Sequence, residues 1–145
     1  MEQRVDPEPI DLTITGELAQ LRSVRRSVLE YAERFGFTAD EVAHICLAVD
    51  EALVNVIEHG YGGPCQEEIH VRLGPVERDG RRGLEIRIRD FGRKIEPERI
   101  CGRDLDDVRP GGLGVHIMRS VMDEVEYRQA DDRGMILQMV RLCSQ

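Results

Sequence analysis

Two rhythms of apolar residues alternate along the chain. Ile10, Leu12 and Ile14 are separated by Asp11 and Thr13, a period of two that predicts a strand with one buried face. Leu18, Leu21, Val24, Val28, Tyr31 and Phe35 then recur at helical spacing. They predict a helix from about Glu17 that Gly36 stops. Thr38-Ala39-Asp40-Glu41 has the form of a capping box, in which hydroxyl and carboxylate satisfy the free amides of a first helical turn. Val42, Ile45, Val49, Leu53 and Val56 form the stripe of the helix that follows. It should end near Gly60, because Gly62-Gly63-Pro64 forbids continuation.

The period of two then returns. Ile69, Val71 and Leu73 form one run and Leu84, Ile86 and Ile88 another, with Gly74-Pro75 and Asp79-Gly80 marking a turn between them. The second run leads straight into Asp90-Phe91-Gly92. Residues 93–110 fit no period, and more than half of them are charged, as in a functional loop. Gly111-Gly112-Leu113-Gly114 closes this loop, Val115 to Met122 reads as a short helix, and two strands joined at Asp131-Asp132-Arg133-Gly134 finish the chain. The order is β-α-α-β-β-loop-α-β-β. Strands in hairpins predict an α/β fold of the α+β kind: a two-layer sandwich whose mixed, mainly antiparallel sheet carries helices on one face. A single domain over residues 10–145 is expected after an N-terminal arm, residues 1–9.

Composition narrows the function. The chain has 145 residues, enough for one domain, and 41% are apolar. Twenty Lys and Arg against 28 Asp and Glu give a net charge of -8, which argues against direct nucleic-acid binding. No apolar run reaches the length of a membrane span, so no membrane contact is expected, and Met1 to Pro9 lack the features of a secretory signal. Cys46, Cys65, Cys101 and Cys143 are scattered without a C-x-x-C pair, which fits a reducing cytoplasm and neither disulfides nor zinc.

Three places can carry chemistry. Glu51 and Asn55 stand four apart on the second helix, off its apolar stripe. A carboxylate there can accept a proton, and a carboxamide oxygen can ligate a hard cation such as Mg²⁺. On spacing alone the pair also fits a solvated helix face. His59 lies one turn further on, where it could line the same pocket, but a structural role is the default reading for each histidine. Asp90 ends a strand beside the long loop, placed to accept from an exocyclic amine, and Gly92 permits close approach of a ligand. An ordinary strand-ending turn would look the same. Asp90-Phe91-Gly92 also spells the magnesium motif of the large protein kinases, but the chain is too short for that fold and has no H-R-D loop. Gly111 to Gly114 at a helix start offers free amides and the positive end of a dipole to phosphate, or else a hinge. Arg22, Arg25 and Arg26 cluster on the first helix, as a solvated face or a patch for an acidic partner.

The order of these places is more specific than any one of them. Asp50-Glu-Ala-Leu-Val-Asn-Val-Ile-Glu-His-Gly-Tyr61 resembles the N box of the histidine-kinase/gyrase-type (Bergerat) ATPases. Gly111-Gly-Leu-Gly-Val-His-Ile-Met-Arg-Ser-Val-Met-Asp123 resembles the second glycine box of one branch, the bacterial anti-sigma factor serine/threonine kinases of partner switching. The resemblance spans roughly residues 10–142. It implies that Glu51 is the general base toward a protein hydroxyl, that Asn55 holds Mg²⁺ against the phosphates of ATP, and that Asp90 binds the adenine amino group above Gly92. It implies a phosphate-binding helix start at Gly111, Gly112, Leu113, Gly114 and Val115, a lid over residues 93–110 from which Arg109 reaches phosphate, and His59 lining the same pocket. The implied partners are an anti-sigma factor antagonist of the STAS type, a sigma factor, and a second copy of the chain meeting through the first helix and a sheet edge. The chain departs from the family pattern at Arg93-Lys94-Ile95-Glu96-Pro97 and at Met135, where a Thr commonly follows the late glycine. The alternatives are a non-catalytic, nucleotide-dependent partner-binding module, the catalytic half of a sensor histidine kinase, and a small ATPase without a protein acceptor.

Overall fold

A computed structural model describes residues 5–92 and 112–144. The expected lid, with Arg109, and also Gly111 and Cys101, lie outside the described residues.

The chain begins with β1 (Ile10–Thr15), a 3₁₀ turn (Leu18–Gln20) and α1 (Leu21–Phe35). The helical rhythm that starts at Leu18 is therefore one tight turn followed by a true α-helix. Gly36 ends α1 in the left-handed conformation, φ 103°. The predicted capping box then starts α2 (Ala39–Asn55): Glu41 N–H donates to Thr38 Oγ1 at 3.2 Å, and Thr38 N–H to Glu41 Oε1 at 2.9 Å. Beyond Asn55 the helix widens into a π turn (Val56–Gly60) before Tyr61.

β2 (Glu68–Arg78) and β3 (Arg81–Asp90) form a long hairpin. Its turn is Asp79-Gly80 alone, both with positive φ as a two-residue hairpin loop requires. Gly74-Pro75 is not part of the turn: both residues are paired within β2, opposite Glu85 and Leu84. After the undescribed stretch come α3 (Gly112–Val121), β4 (Glu124–Gln129) and β5 (Met135–Leu142). The five strands lie in the order β1-β2-β3-β5-β4. Among the described residues all four pairings are antiparallel, where a mixed sheet was expected. Every crossing between paired strands is a hairpin or a longer return, which antiparallel pairing permits.

Register decides which side chains meet the helices. Ile69, Val71 and Leu73 stand opposite Asp90, Ile88 and Ile86, and Ile88 and Ile86 stand opposite Leu137 and Met139. This face packs against Val24, Val28, Tyr31 and Phe35 of α1, Ile45, Val49 and Leu53 of α2, and Val115 and Met118 of α3. Arg141 belongs to the same face, opposite Leu84. It donates to the Val121 carbonyl at the end of α3 and lies 3.7 Å from the Glu41 carboxylate at the start of α2. One guanidinium thus serves the negative end of one helix dipole and the acidic first turn of another.

The arm is strapped down. Asp6 pairs with Arg82, which also donates to the Phe35 carbonyl at 3.1 Å and lies 4.3 Å over the Phe35 ring. Tyr31 donates its hydroxyl to the Pro7 carbonyl at 3.1 Å. Among the described residues no helix is long and apolar enough to cross a membrane, and Cys46 and Cys65 are free thiols.

The capping box makes the start of α2 measurable. Thr38→Ala should cost about 1 kcal/mol, a fall in Tm of roughly 3–5 °C for a domain of this size, read by thermal denaturation. An unchanged Tm would mean that other contacts hold the first turn.

Candidate functional site

Among the described residues, Asp90 is the charged residue of the core. Strand alternation carries Leu84, Ile86 and Ile88 onto the helix-covered face, and the next position on that face is a carboxylate, only 3% exposed. Its Oδ1 accepts from Gly92 N–H at 3.0 Å and from Met135 N–H at 3.2 Å. Both bonds fall on one oxygen, leaving Oδ2 to an incoming donor. Burial pushes the carboxyl above the ordinary carboxylate range; the two amides and the Arg89 charge oppose that shift. The backbone of Met135 thus supplies a donor at the position where the family commonly carries Thr.

The walls around Asp90 are backbone. A Cβ on Gly60 would sit 3.7 Å from the Asp90 carboxylate. A Cβ on Gly92 would come within 2.7 Å of the Gly60 carbonyl carbon, so the strand end and the end of the second helix approach as closely as glycine allows. Arg89 holds the strand end from the other side. It donates to the Asp90 carbonyl at 3.1 Å, to Asp132 Oδ1 at 2.9 Å and to the Arg133 carbonyl at 3.2 Å, and lies 4.6 Å over the Phe91 ring.

Glu51 and Asn55 meet the start of α3. Both are partly exposed on α2, one turn apart. A Cβ added to Gly114 would lie 2.7 Å from Glu51 Oε2, 3.6 Å from Asn55 Nδ2 and 3.7 Å from Asn55 Oδ1. A side chain at position 114 would have to displace the end of the Glu51 side chain. The first turn of α3 brings the positive end of its dipole beside a carboxylate and a carboxamide. Gly112 and Leu113 open α3, and Gly114 and Val115 are buried within it. His59 sits partly buried in the π turn, where i→i+5 bonding replaces the spacing that stacks a residue on its neighbour four back.

Sequence reading did not single out Tyr61, Gly60 or Arg89 for this site. For Tyr61 and Gly60 the available signal was their place at the end of the N box. On the uncovered face of the sheet, Asp11, Thr13, His70, Arg72, Arg87 and Arg89 border a hollow of about 280 Å³. Its guanidiniums are paired, Arg72 with Asp11, Arg87 with Glu85 and Arg89 with Asp132, so it holds no unbalanced cation cluster.

Comparison with known proteins agrees with this geometry. The family model described as "Histidine kinase-like ATPase domain" matches residues 14–141. The serine-protein kinase RsbW of Halalkalibacterium halodurans is 31% identical over 141 residues, covering 93% of this chain and 83% of that protein. This chain belongs to the histidine kinase-like ATPases, in their serine-protein kinase branch. RsbW of Bacillus subtilis is 26% identical over 127 residues, 82% of this chain and 77% of that one. The serine/threonine-protein kinase BtrW of Bordetella bronchiseptica is 28% identical over 137 residues, 90% and 89% of the two chains. The fold also matches a crystal structure of the RsbU and RsbW domains of a Mycobacterium tuberculosis protein, with TM-score 0.67 and 19% identity. That match covers 96% of this chain and 34% of the longer one. Membership in this ATPase family carries ATP binding with it, and the buried carboxylate with its glycine walls suits a purine base.

Because the folded state raises the Asp90 pKa, its contribution to stability is full below the ordinary carboxylate pKa and is lost as pH rises through the raised value. Asp90→Asn removes that loss. The variant should match or exceed the wild-type Tm at neutral pH, with the difference shrinking toward about pH 4, while ATP affinity falls at least about tenfold. Thermal melts across pH and titration calorimetry check both parts; unchanged ATP affinity would remove Asp90 from the site.

Proposed function

We propose that the chain is an ATP- and Mg²⁺-dependent kinase that phosphorylates a serine or threonine of a STAS-type anti-sigma factor antagonist and, in alternation, sequesters a sigma factor. The carrying observation is the convergence at Gly114: a carboxylate, a carboxamide oxygen and the amide end of a helix lie against one another, with the buried Asp90 on the adjoining strand. Phosphoryl transfer asks a protein mainly for positioning and charge neutralisation, and these groups are of the required kinds.

The residues present fit the nucleotide. Asp90 Oδ2 would accept from the adenine amino group, and the amides of Gly112, Leu113 and Gly114 would bind phosphate oxygens. Asn55 Oδ1 would hold Mg²⁺, which needs few protein ligands because it keeps waters and phosphate oxygens in its shell. Bound MgATP supplies the phosphoryl group and the charge that offsets its oxygens. Glu51 would accept the proton of the partner's hydroxyl as the oxygen attacks, and afterwards release it to water. Val115 keeps the helix start seated, since its side chain is part of the core. Arg109, Gly111 and His59 remain proposed contributors to phosphate binding and to the pocket wall.

The relatives' names support the kinase reading. The partners, the cytoplasmic location and a homodimer through α1 and the β1 edge belong to the same proposal.

Glu51→Ala tests it. Transfer of ³²P from γ-labelled ATP to a purified STAS-domain antagonist should be seen with wild type. It should fall by about 10²–10⁴-fold in the variant, with ATP affinity within about twofold. Chelating Mg²⁺ should abolish transfer. Nucleotide-dependent capture of the partner with no transfer by wild type would make the chain a binding module and overturn the kinase.

A further inference from the structure

The hairpin that carries Asp90 ends in an unusual way. In the β2–β3 ladder Ile69 faces Asp90, so the next residues outward, Glu68 and Phe91, face one another in the same register. In a continued ladder the Phe91 amide would donate to the Glu68 carbonyl. Instead a side chain stands between them. Phe91 N–H donates to the Tyr61 hydroxyl at 2.9 Å, and that hydroxyl donates to the Glu68 carbonyl. One oxygen atom acts as a spacer between two strands that would otherwise close.

The spacer is firmly seated. Tyr61 follows the π turn and donates its own amide to the Val56 carbonyl at 3.0 Å. Its ring lies between two glycines: a Cβ on Gly16 would be 3.5 Å from Tyr61 Cδ2, and one on Gly92 3.1 Å from Cδ1. The hydroxyl must remain protonated to donate and accept at once, and burial favours this by pushing the phenol pKa up. Held open at Phe91, the strand turns so that the next amide, that of Gly92, points back to Asp90 Oδ1. Closing the ladder would draw Phe91 toward β2 and move the Gly92 amide off the carboxylate. The orientation of Asp90, and which of its oxygens is left for a ligand, depends on that single hydroxyl.

We propose that Tyr61 is a positioning and specificity-determining residue, whose hydroxyl splits the end of the β2–β3 hairpin and so fixes the Asp90 carboxylate for the nucleobase. This rests on the reading of Asp90 as the base-binding group. A misdirected carboxylate still offers charge, but it no longer discriminates an amino group from a carbonyl on the base edge. The hydroxyl therefore governs selectivity for adenine over guanine as well as affinity.

Tyr61→Phe keeps the ring and removes only the spacer atom. Titration calorimetry with ATP and GTP on wild type, Tyr61→Phe and Asp90→Asn reads the effect. Tyr61→Phe should raise the ATP Kd by about three- to tenfold and narrow the ATP-over-GTP preference by a similar factor, the size expected when one hydroxyl's hydrogen bonds are lost. The rate of partner phosphorylation at saturating ATP should stay within about twofold, because Glu51 is untouched. A lower Tm with an unchanged ATP/GTP ratio would mean that Tyr61 is merely structural and would overturn the proposal. Wild type that binds no ATP, or an Asp90→Asn variant that binds it normally, would sink the base-binding reading instead. If Tyr61→Phe fails to fold, a fluorinated tyrosine at position 61 gives an equivalent readout. Its more acidic phenol should lose ATP affinity as pH rises while wild type does not, and parallel pH profiles would count against the spacer.

Discussion

A carboxylate buried on the apolar face of a sheet constrains everything around it. Removing an ionised carboxylate from water costs several kcal/mol unless donors replace the lost hydration. At Asp90 the replacements are two backbone amides, with the Arg89 guanidinium on the strand's far side. The two amides come from different pieces of chain: Gly92 lies two residues beyond the end of β3, and Met135 is the first residue of β5. The strand end, the β4–β5 turn and the end of the second helix must all lie close to one point. Gly60, Gly92 and Gly134 are the positions where side chains would prevent it. The penalty on the charged form is only partly offset, and a ligand donor at Oδ2 would complete the set. A group that is poorly satisfied by its own protein is well prepared to bind.

The helix layer meets this point from above. The capping box starts α2 so that Glu51 and Asn55 fall on the flank facing α3, and Gly114 lets the two helices touch there. Arg141 joins the far ends of the same two helices, between Val121 and Glu41. The pair is thus fixed by close backbone approach at one end and by a guanidinium at the other. The geometry near Glu51 is set by the sheet as much as by α2.

Much of this was legible in the chain. The capping box, the strand alternation and the Gly36 stop are local signals, and each element they announced exists. The Glu51–Asn55 pair and the glycine-rich helix start were proposed for the site through the resemblance of their motifs, since spacing alone fits a solvated face as well. The shortfalls are cases where distant parts of the chain decide. Gly74-Pro75 looks like a turn, yet long-range pairing with Glu85 and Leu84 keeps it in β2. The pairing with β1 stops at Leu73, so Pro75 lies at an edge of the ladder, where proline is tolerated. The widening at Val56 to Gly60 leaves the apolar stripe intact and so leaves no trace in periodicity. Tyr61 carried a signal only through its place at the end of a motif, because its partners Glu68 and Phe91 are fixed by strand register. For Asp90 the pattern itself held the clue: Leu84, Ile86 and Ile88 alternate, and the next position in step is an acid. A break in alternation of that kind marks a place where a fold has accepted a cost.

The scattering of the proposed site along the chain has a thermodynamic consequence. Glu51 and Asn55 sit in its first half, Asp90 on the central strand, Gly114 beyond the long loop and Met135 on the last strand. None of these segments can present its group until the whole sheet has formed, so a bound nucleotide recognises the native fold alone. By mass action its binding free energy adds to the unfolding free energy of the entire domain, about 2.7 kcal/mol at a hundredfold excess over Kd. The nucleotide pool then acts as a chaperone in the chemical sense. A cell poor in ATP would hold fewer folded copies of this protein, as well as fewer loaded ones.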